Sequence, residues 1–420
     1  MVGSTLLCLA LAVVSVQSHA LHEHSTRRRF FKEGEWAHPQ NHSINALFKR
    51  ATDGLQYATV GSDEWTAKYP SSSSTPSKDS IPKEWSDALS AAIAAGKIPD
   101  TPLANKPGDA NGDPTYPDGT DPMSSGVCSS TYKCRDSTAL WDGPDGTYGI
   151  SFDDGPLEEN KETATHFMIG SNIRANFKQF QEIFDYGGDC AVHTWSHSYM
   201  TTLPNEDVLS ELGWTMQIIH DSTGGKVPKY WRPPYGDSDV RVRAIAKEVF
   251  GMETVIWNQD TDDWGMNEGQ NTMENVMRDL NTWLTGPKSP GLIVLEHESG
   301  DQTVKAFMDA YPIMKSNGWQ TKSLVSVLGD SAYQNVKGDT VFPASIYDPK
   351  ANANAIAGAT NSTSSSAPAT SASPTSASST GGASPTNAGD RAGNGSVSFR
   401  DSSRALSFVM ALSFLFFTLA

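Results

Sequence analysis

Between Cys128 and Ser345 short apolar runs alternate with amphipathic stretches, and this alternation limits the fold more than any other feature of the chain. Thr147 to Phe152, rich in Tyr, Ile and Phe, reads as a buried strand. Strand-like Ala164–Ile169 is followed by a helix near Arg174–Tyr186, and Cys190–His193 by Glu206–Asp221. Lys229–Arg232 then precedes Val240–Val249, Thr254–Trp257 precedes Thr272–Leu284, and Gly291–Leu295 precedes Thr303–Ser316. Val208, Leu212, Met216 and Ile219 form the stripe of a helix lying on a sheet. A parallel α/β fold follows, and the number of units suits a barrel.

The first strand stops at two adjacent carboxylates, Asp153 and Asp154, and a Gly-Pro break. Rigid β-structure there supplies position and the loop supplies chemistry. Neighbouring carboxylates both ionise cheaply only beside a positive charge, a metal ion or an arginine. The stretch Ala191-Val-His193-Thr-Trp-Ser-His197 sets two imidazoles four residues apart after another strand. With one of the two carboxylates they make a two-His, one-carboxylate set that leaves positions open for water and substrate. Such donors suit Zn²⁺, with Co²⁺ and other divalent first-row metals as alternatives.

These two segments resemble the first two motifs of the polysaccharide deacetylases with the NodB homology domain, carbohydrate esterase family 4. Arg232-Pro-Pro-Tyr235-Gly236 is similar to the third motif, Asp260-Thr-Asp-Asp263-Trp264 to the fourth and Leu295-Glu-His297 to the fifth, in order. The resemblance covers roughly residues 145–330 and implies a distorted (β/α) barrel. It implies Asp154, His193 and His197 as metal ligands and Asp153 as the base that takes a proton from water activated at the metal. It further implies that the Tyr235 backbone N–H holds the oxyanion and that His297, oriented by Asp263, protonates the leaving amine. Arg232 would pair with Asp153, while Trp264 and Leu295 would wall the slot for the acetyl methyl group. Asp260 and Asp262 read as solvated loop or cap groups, and His166 as a packed core residue. Trp195 and Tyr199 either stack on sugar rings or pack. Two departures from the family pattern lie beside the metal motif: the short segment between Pro156 and Ala164, and Gly187-Gly188-Asp189-Cys190 before His193. Both bear on substrate preference.

Outside this region composition changes. Residues 1–20 read as a secretory signal peptide, with an apolar core Leu6–Val14 and a small-residue end Ser18-His19-Ala20. Residues 21–127 read as an N-terminal extension, in part a propeptide if the chain is cut at Arg27-Arg28-Arg29 or Lys49-Arg50. Within it Trp85, Leu89 and Ile93 predict one helix over Lys83–Ala95. The deacetylase-like domain takes residues 128–345, a Ser/Thr/Ala/Pro-rich stalk residues 346–394, and a GPI-anchor propeptide residues 395–420. The terminal apolar run from Ala405 is shorter than the about 20 residues a bilayer span needs, so a lipid anchor at Asn394 is expected in its place. Asn41, Asn361 and Asn394 head glycosylation sequons. In an oxidising compartment Cys128 and Cys134 are the expected disulfide, with Cys190 a buried free thiol.

A net charge of −16 argues against nucleic acid as a partner and permits a neutral or cationic substrate. Signal, stalk and tail together resemble the fungal cell-wall chitin deacetylases. They imply a secreted monomer, held by a GPI anchor at the cell membrane and wall, that converts chitin or partly deacetylated chitosan to chitosan and acetate. An O-acetyl polysaccharide esterase and a non-catalytic wall-glycan-binding protein are the alternative readings.

Overall fold

Each apolar run of the alternating region becomes a strand whose carboxyl end points to one rim of the molecule. The computed structural model describes residues 38–39, 41–48, 56–108, 112–156 and 163–335. The expected signal peptide, basic cuts, stalk, GPI propeptide and the sequons at Asn361 and Asn394 lie outside them. Asn41 is described and exposed. Among the described residues no helix is long and apolar enough to cross a membrane.

Among the described residues three α-helices precede the first strand: α1 (Ile44–Leu47), α2 (Asp63–Thr66) and α3 (Lys83–Ala94). Then come β1 (Ala139–Leu140), β2 (Thr147–Asp154), β3 (Thr165–Met168), α4 (Gly170–Ala175), α5 (Phe177–Asp185) and β4 (Asp189–Val192). Next are α6 (Asn205–Ser222), β5 (Tyr230–Trp231), α7 (Val240–Phe250), β6 (Glu253–Val255) and β7 (Gln259–Asp260). The series ends with α8 (Met273–Leu284), β8 (Val294–Leu295), α9 (Asp301–Ser316), β9 (Gln320–Ser323) and α10 (Leu324–Leu328).

A seven-stranded sheet runs β1–β6–β5–β4–β3–β2–β9, every neighbouring pair parallel, and β7 pairs with β8. The short β6 and β7 are two ends of one extended run: Ile256 N–H donates to Leu140 O, and Asn258 N–H to Ile293 O. Parallel bridges Tyr148–Leu292 and Asp153–His297 join β2 to the β8 run. The strands therefore close on themselves through β2, β3, β4, β5, β6–β7 and β8, the distorted (β/α) barrel expected from the sequence.

The core explains why the helices sit where they do. Val208, Leu212, Met216 and Ile219 of α6 are all fully buried, as their spacing requires. In α3 Trp85 and Leu89 are buried, but Ile93 is 44% exposed and Ala92 takes the third inward place. The apolar face of α3 follows a three-residue step there, because a helix turns every 3.6 residues. The single helix expected over Arg174–Tyr186 is two, broken at Asn176, whose backbone is non-helical. Ile44, Phe48, Trp65 and Tyr69 of the N-terminal extension join the same core cluster as Phe250 of α7. Cys128 and Cys134 form a disulfide, and Cys190 is buried and free.

Candidate active site

Four strand ends bring the motif residues together at the carboxyl rim. Asp153 and Asp154 end β2, His193 and His197 follow β4, Arg232 follows β5, and His297 follows β8. Asp154, Thr194, His197 and Tyr235 take φ values of 78°, 65°, 62° and 59°. Left-handed backbone at four non-glycine residues around one site is strain that the surrounding packing sustains. The turn after Asp154 also leaves no room for a side chain: a Cβ on Gly155 would lie 1.8 Å from Glu298 Oε1. Glu298 is itself pinned, since His166 Nδ1 sits 3.0 and 3.1 Å from its two carboxylate oxygens.

The ligand atoms of Asp154, His193 and His197 lie within 4.8 Å of one another. Nε2 of His193 and of His197 stand 3.6 and 3.3 Å from Asp154 Oδ1. His193 Nδ1 donates to Arg232 O at 2.8 Å, so Nε2 carries the lone pair that faces the carboxylate. Burial pushes His193 down to about 3, with His197 adding to the shift, and burial also lowers His197. Both rings are thus neutral near pH 7, and Asp154 Oδ1 is a buried oxygen with no hydrogen-bond partner. Two lone pairs and an orphaned carboxylate oxygen that converge on one point fit a divalent cation.

The second carboxylate is held differently. Arg232, fully buried, donates from Nη1 to Asp153 Oδ1 at 2.6 Å and from Nη2 to Ser151 Oγ at 3.1 Å. Its guanidinium lies 4.2 Å above the Phe167 ring. Burial raises Asp153 to about 6, against the opposing pull of Arg232. Across the site Asp263 Oδ1 sits 2.6 Å from His297 Nδ1, and Asp263 Oδ2 accepts the His297 backbone N–H at 2.9 Å. Burial opposes charge on His297, but the Asp263 carboxylate overrides it and lifts the imidazole to about 10. The rim thus offers a carboxylate that is a proton acceptor above about pH 6 and an imidazolium that is a donor at neutral pH.

Tyr235, 50% exposed, adjoins His197 with ring centroids 4.6 Å apart, and Tyr199 stacks on it at 4.0 Å. Of the two aromatics left open by the sequence, Trp195 is fully buried and donates from Nε1 to Ser72 O, so it packs, while Tyr199 lies at the mouth. Trp264 is half-buried, and Leu295 is buried and paired with Asp260. Asp262 is exposed as expected. Asp260 is half-buried: it caps the loop by accepting the Asp262 backbone N–H, accepts also from Trp257 Nε1, and lies where β7 pairs with β8. His166 is in the core as expected, yet the carboxylate of Glu298 beside it carried no signal in the sequence.

Glu296 is a second buried carboxyl that the sequence hid. It lies behind Asp263, accepts the Tyr148 hydroxyl at 2.8 Å, and burial pushes it up to about 8. A raised acid binds its proton in the folded state while the unfolded chain has lost it, so stability falls as pH rises from about 4.5 to about 8. The limiting slope is about 1.4 kcal/mol per pH unit. Glu296→Gln keeps an acceptor for Tyr148 and has no proton to lose. Its melting temperature relative to the unmodified protein should rise steadily between pH 5 and 8; a difference independent of pH would refute this.

The polysaccharide deacetylase family model matches residues 142–255, which include both carboxylates, both metal-motif histidines and Arg232. Chitin deacetylase 3 of Cryptococcus neoformans is 39% identical over 315 residues, 71% of this chain and 74% of that protein. Chitin deacetylase 1 of Saccharomyces cerevisiae is 35% identical over 192 residues, 44% of this chain and 61% of that protein. Among solved structures, the chitin deacetylase from Colletotrichum lindemuthianum aligns at 24% identity and a TM-score of 0.42, covering 49% of this chain and 98% of that one. With the match to the Cryptococcus protein extending over most of both chains, this chain belongs to the polysaccharide deacetylase family.

Proposed function

We propose that the protein is a metal-dependent hydrolase that removes N-acetyl groups from the N-acetylglucosamine residues of chitin or partly deacetylated chitosan, yielding chitosan and acetate. The carrying observation is the division of labour between adjacent carboxylates: Asp154 faces two neutral imidazoles while Asp153 is clamped by Arg232. The relatives named as chitin deacetylases support the choice of substrate.

Asp154, His193 and His197 would hold the ion. A divalent cation there supplies a Lewis acid that polarises the acetamide carbonyl and acidifies water. Asp153, ionised above about pH 6 and fixed by Arg232, takes the proton of the attacking water. The left-handed turn at Tyr235 presents its N–H as an oxyanion donor, while the Gly236 and Asp237 N–H groups close back on Pro233 O and Pro234 O. His297, charged through Asp263, returns a proton to the departing amine. Trp264 and Leu295 wall the acetyl slot, and the stacked Tyr199–Tyr235 pair offers an aromatic face to a sugar ring.

Acetate release from a chitin tetramer, measured before and after dialysis against a strong chelator, tests the reading. Release should fall at least a hundredfold on chelation and return with added Zn²⁺ or Co²⁺. Undiminished release after complete metal removal would overturn metal dependence. Release from O-acetylated xylan but not from the tetramer would overturn the amide substrate.

A further inference from the structure

The four-residue step between His193 and His197 is held by a side chain of α6. Glu211 is fully buried. Its Oε2 accepts the Trp195 and Ser196 backbone N–H groups, each at 2.8 Å, and its Oε1 accepts the Ser196 hydroxyl at 2.5 Å. From the opposite side, the first N–H groups of α4, those of Gly170 and Ser171, donate to the Thr194 and Trp195 carbonyls at 2.9 and 3.1 Å. The loop between the two imidazoles is thus gripped through both its donors and its acceptors. Thr75 of the N-terminal extension adds contacts at 3.4 Å to Ser196 Oγ and 3.1 Å to Ser198 Oγ.

Such a grip needs a reason, because Thr194 and His197 both sit in left-handed backbone that the loop would leave if released. Removing the carboxylate would leave two buried N–H groups without an acceptor. The loop would then move to satisfy them, carrying the Nε2 atoms of His193 and His197 with it. Asp154, on β2, would not follow.

We propose that Glu211 is a positioning residue for the metal centre: its hydrogen-bond fork fixes the loop that sets the spacing of the two imidazoles against Asp154. This rests on the metal-dependent reading above. The fork matters as a set of acceptors more than as a charge. A glutamine can present its oxygen to the two N–H groups and its amide to Ser196 Oγ, which has lone pairs to accept it.

The test is Zn²⁺ affinity of the whole protein, measured by competition with a chromophoric chelator, for Glu211→Ala and Glu211→Gln, alongside melting of the metal-free forms. Glu211→Ala should weaken Zn²⁺ binding about tenfold or more. Glu211→Gln should restore affinity to within about threefold of the unmodified protein, because partners that orient metal ligands act through geometry. Where Glu211→Ala does not fold, Glu211→Asp, one methylene too short to reach both amides, carries the same expectation. A folded Glu211→Ala or Glu211→Asp with lower melting temperature but unchanged Zn²⁺ affinity would overturn the inference, as would a glutamine variant as impaired as the alanine one. Failure of the unmodified protein to bind Zn²⁺ or Co²⁺ would instead overturn the metal-centre reading itself.

Discussion

Asp153→Asn should lower kcat for acetate release by about 10²–10⁴-fold, the usual range for loss of a general base, while a chitin oligomer binds within about threefold of its normal affinity. The substitution is close to isosteric, and its carbonyl oxygen can still accept from Arg232 Nη1, now 2.6 Å from Asp153 Oδ1, so the clamp on β2 persists. What disappears is the proton acceptor. Asp153 is 1% exposed, and water attacking from the cation side meets no other carboxylate with a free role, since Asp154 is turned to the imidazoles. The pH profile separates loss of a base from disturbed metal binding. In the unmodified protein the acid limb should fall at or below about pH 6, where Asp153 protonates, and a cation beside it would draw that limb lower still. In the variant the residual rate should lack this limb. Turnover within tenfold of normal, with the acid limb intact, would remove Asp153 from the chemistry and favour a direct role for Asp154.

The fold and the clustering of Asp154, His193 and His197 were legible because each has a periodic or local signature. Hydrophobic stripes such as Val208 to Ile219 declare which face of a helix is buried, and all four of those residues are fully buried. Carboxylates and imidazoles at strand ends declare themselves because charge in such a place needs a partner. The pairing of Arg232 with Asp153 followed the same logic, and it came from the family resemblance as much as from the residues.

The side chains that support the site were not legible. Glu211 is a single acid on the apolar face of α6 and Glu296 stands unremarked inside the Leu295-Glu-His297 motif, and a pattern of hydrophobic spacing treats each as noise. Their partners are a loop backbone and the hydroxyl of Tyr148, neither of which leaves a mark at fixed distance in the chain. The segment Ser71–Pro76 has the composition of an unstructured loop. It is nevertheless tied to the His193–His197 loop and α6, through Ser72 O to Trp195, Thr75 to Ser196 and Ser198, and Pro76 O to Ser210. Polar contacts between residues more than a hundred positions apart lie beyond any windowed reading. The two-residue strands β5, β7 and β8 are set by barrel closure, and β1 by its pairing with β6, rather than by β-propensity, so their limits too come from tertiary pairing.

Asp263→Asn should be nearly as damaging as loss of the base, although Asp263 acts only through its neighbour. His297 is buried, and burial by itself disfavours the charged ring; the carboxylate of Asp263, 2.6 Å from Nδ1, reverses that and holds the imidazole near 10. An asparagine removes the negative charge while it can still accept the His297 backbone N–H that Asp263 Oδ2 accepts now. The ring then loses the largest interactions that hold it charged against burial, with only the more weakly acting Asp154 and Asp153 left to favour the charge, so it falls well below about 10. At pH 8.5 a much smaller fraction of it would carry the proton needed by the leaving amine. Asp153 must be ionised in the same molecule, and it titrates at or below about 6, so the window in which base and acid are both in the right form collapses. We therefore expect kcat at pH 8.5 to fall by about a hundredfold or more. The alkaline limb should move toward acid, while His193, His197 and Asp154, which make no hydrogen bond to Asp263 among those described, keep their places. If the variant lost activity uniformly across pH with the alkaline limb in place, Asp263 would be shaping the loop rather than charging the acid, and the leaving-group proton would have to come from another donor.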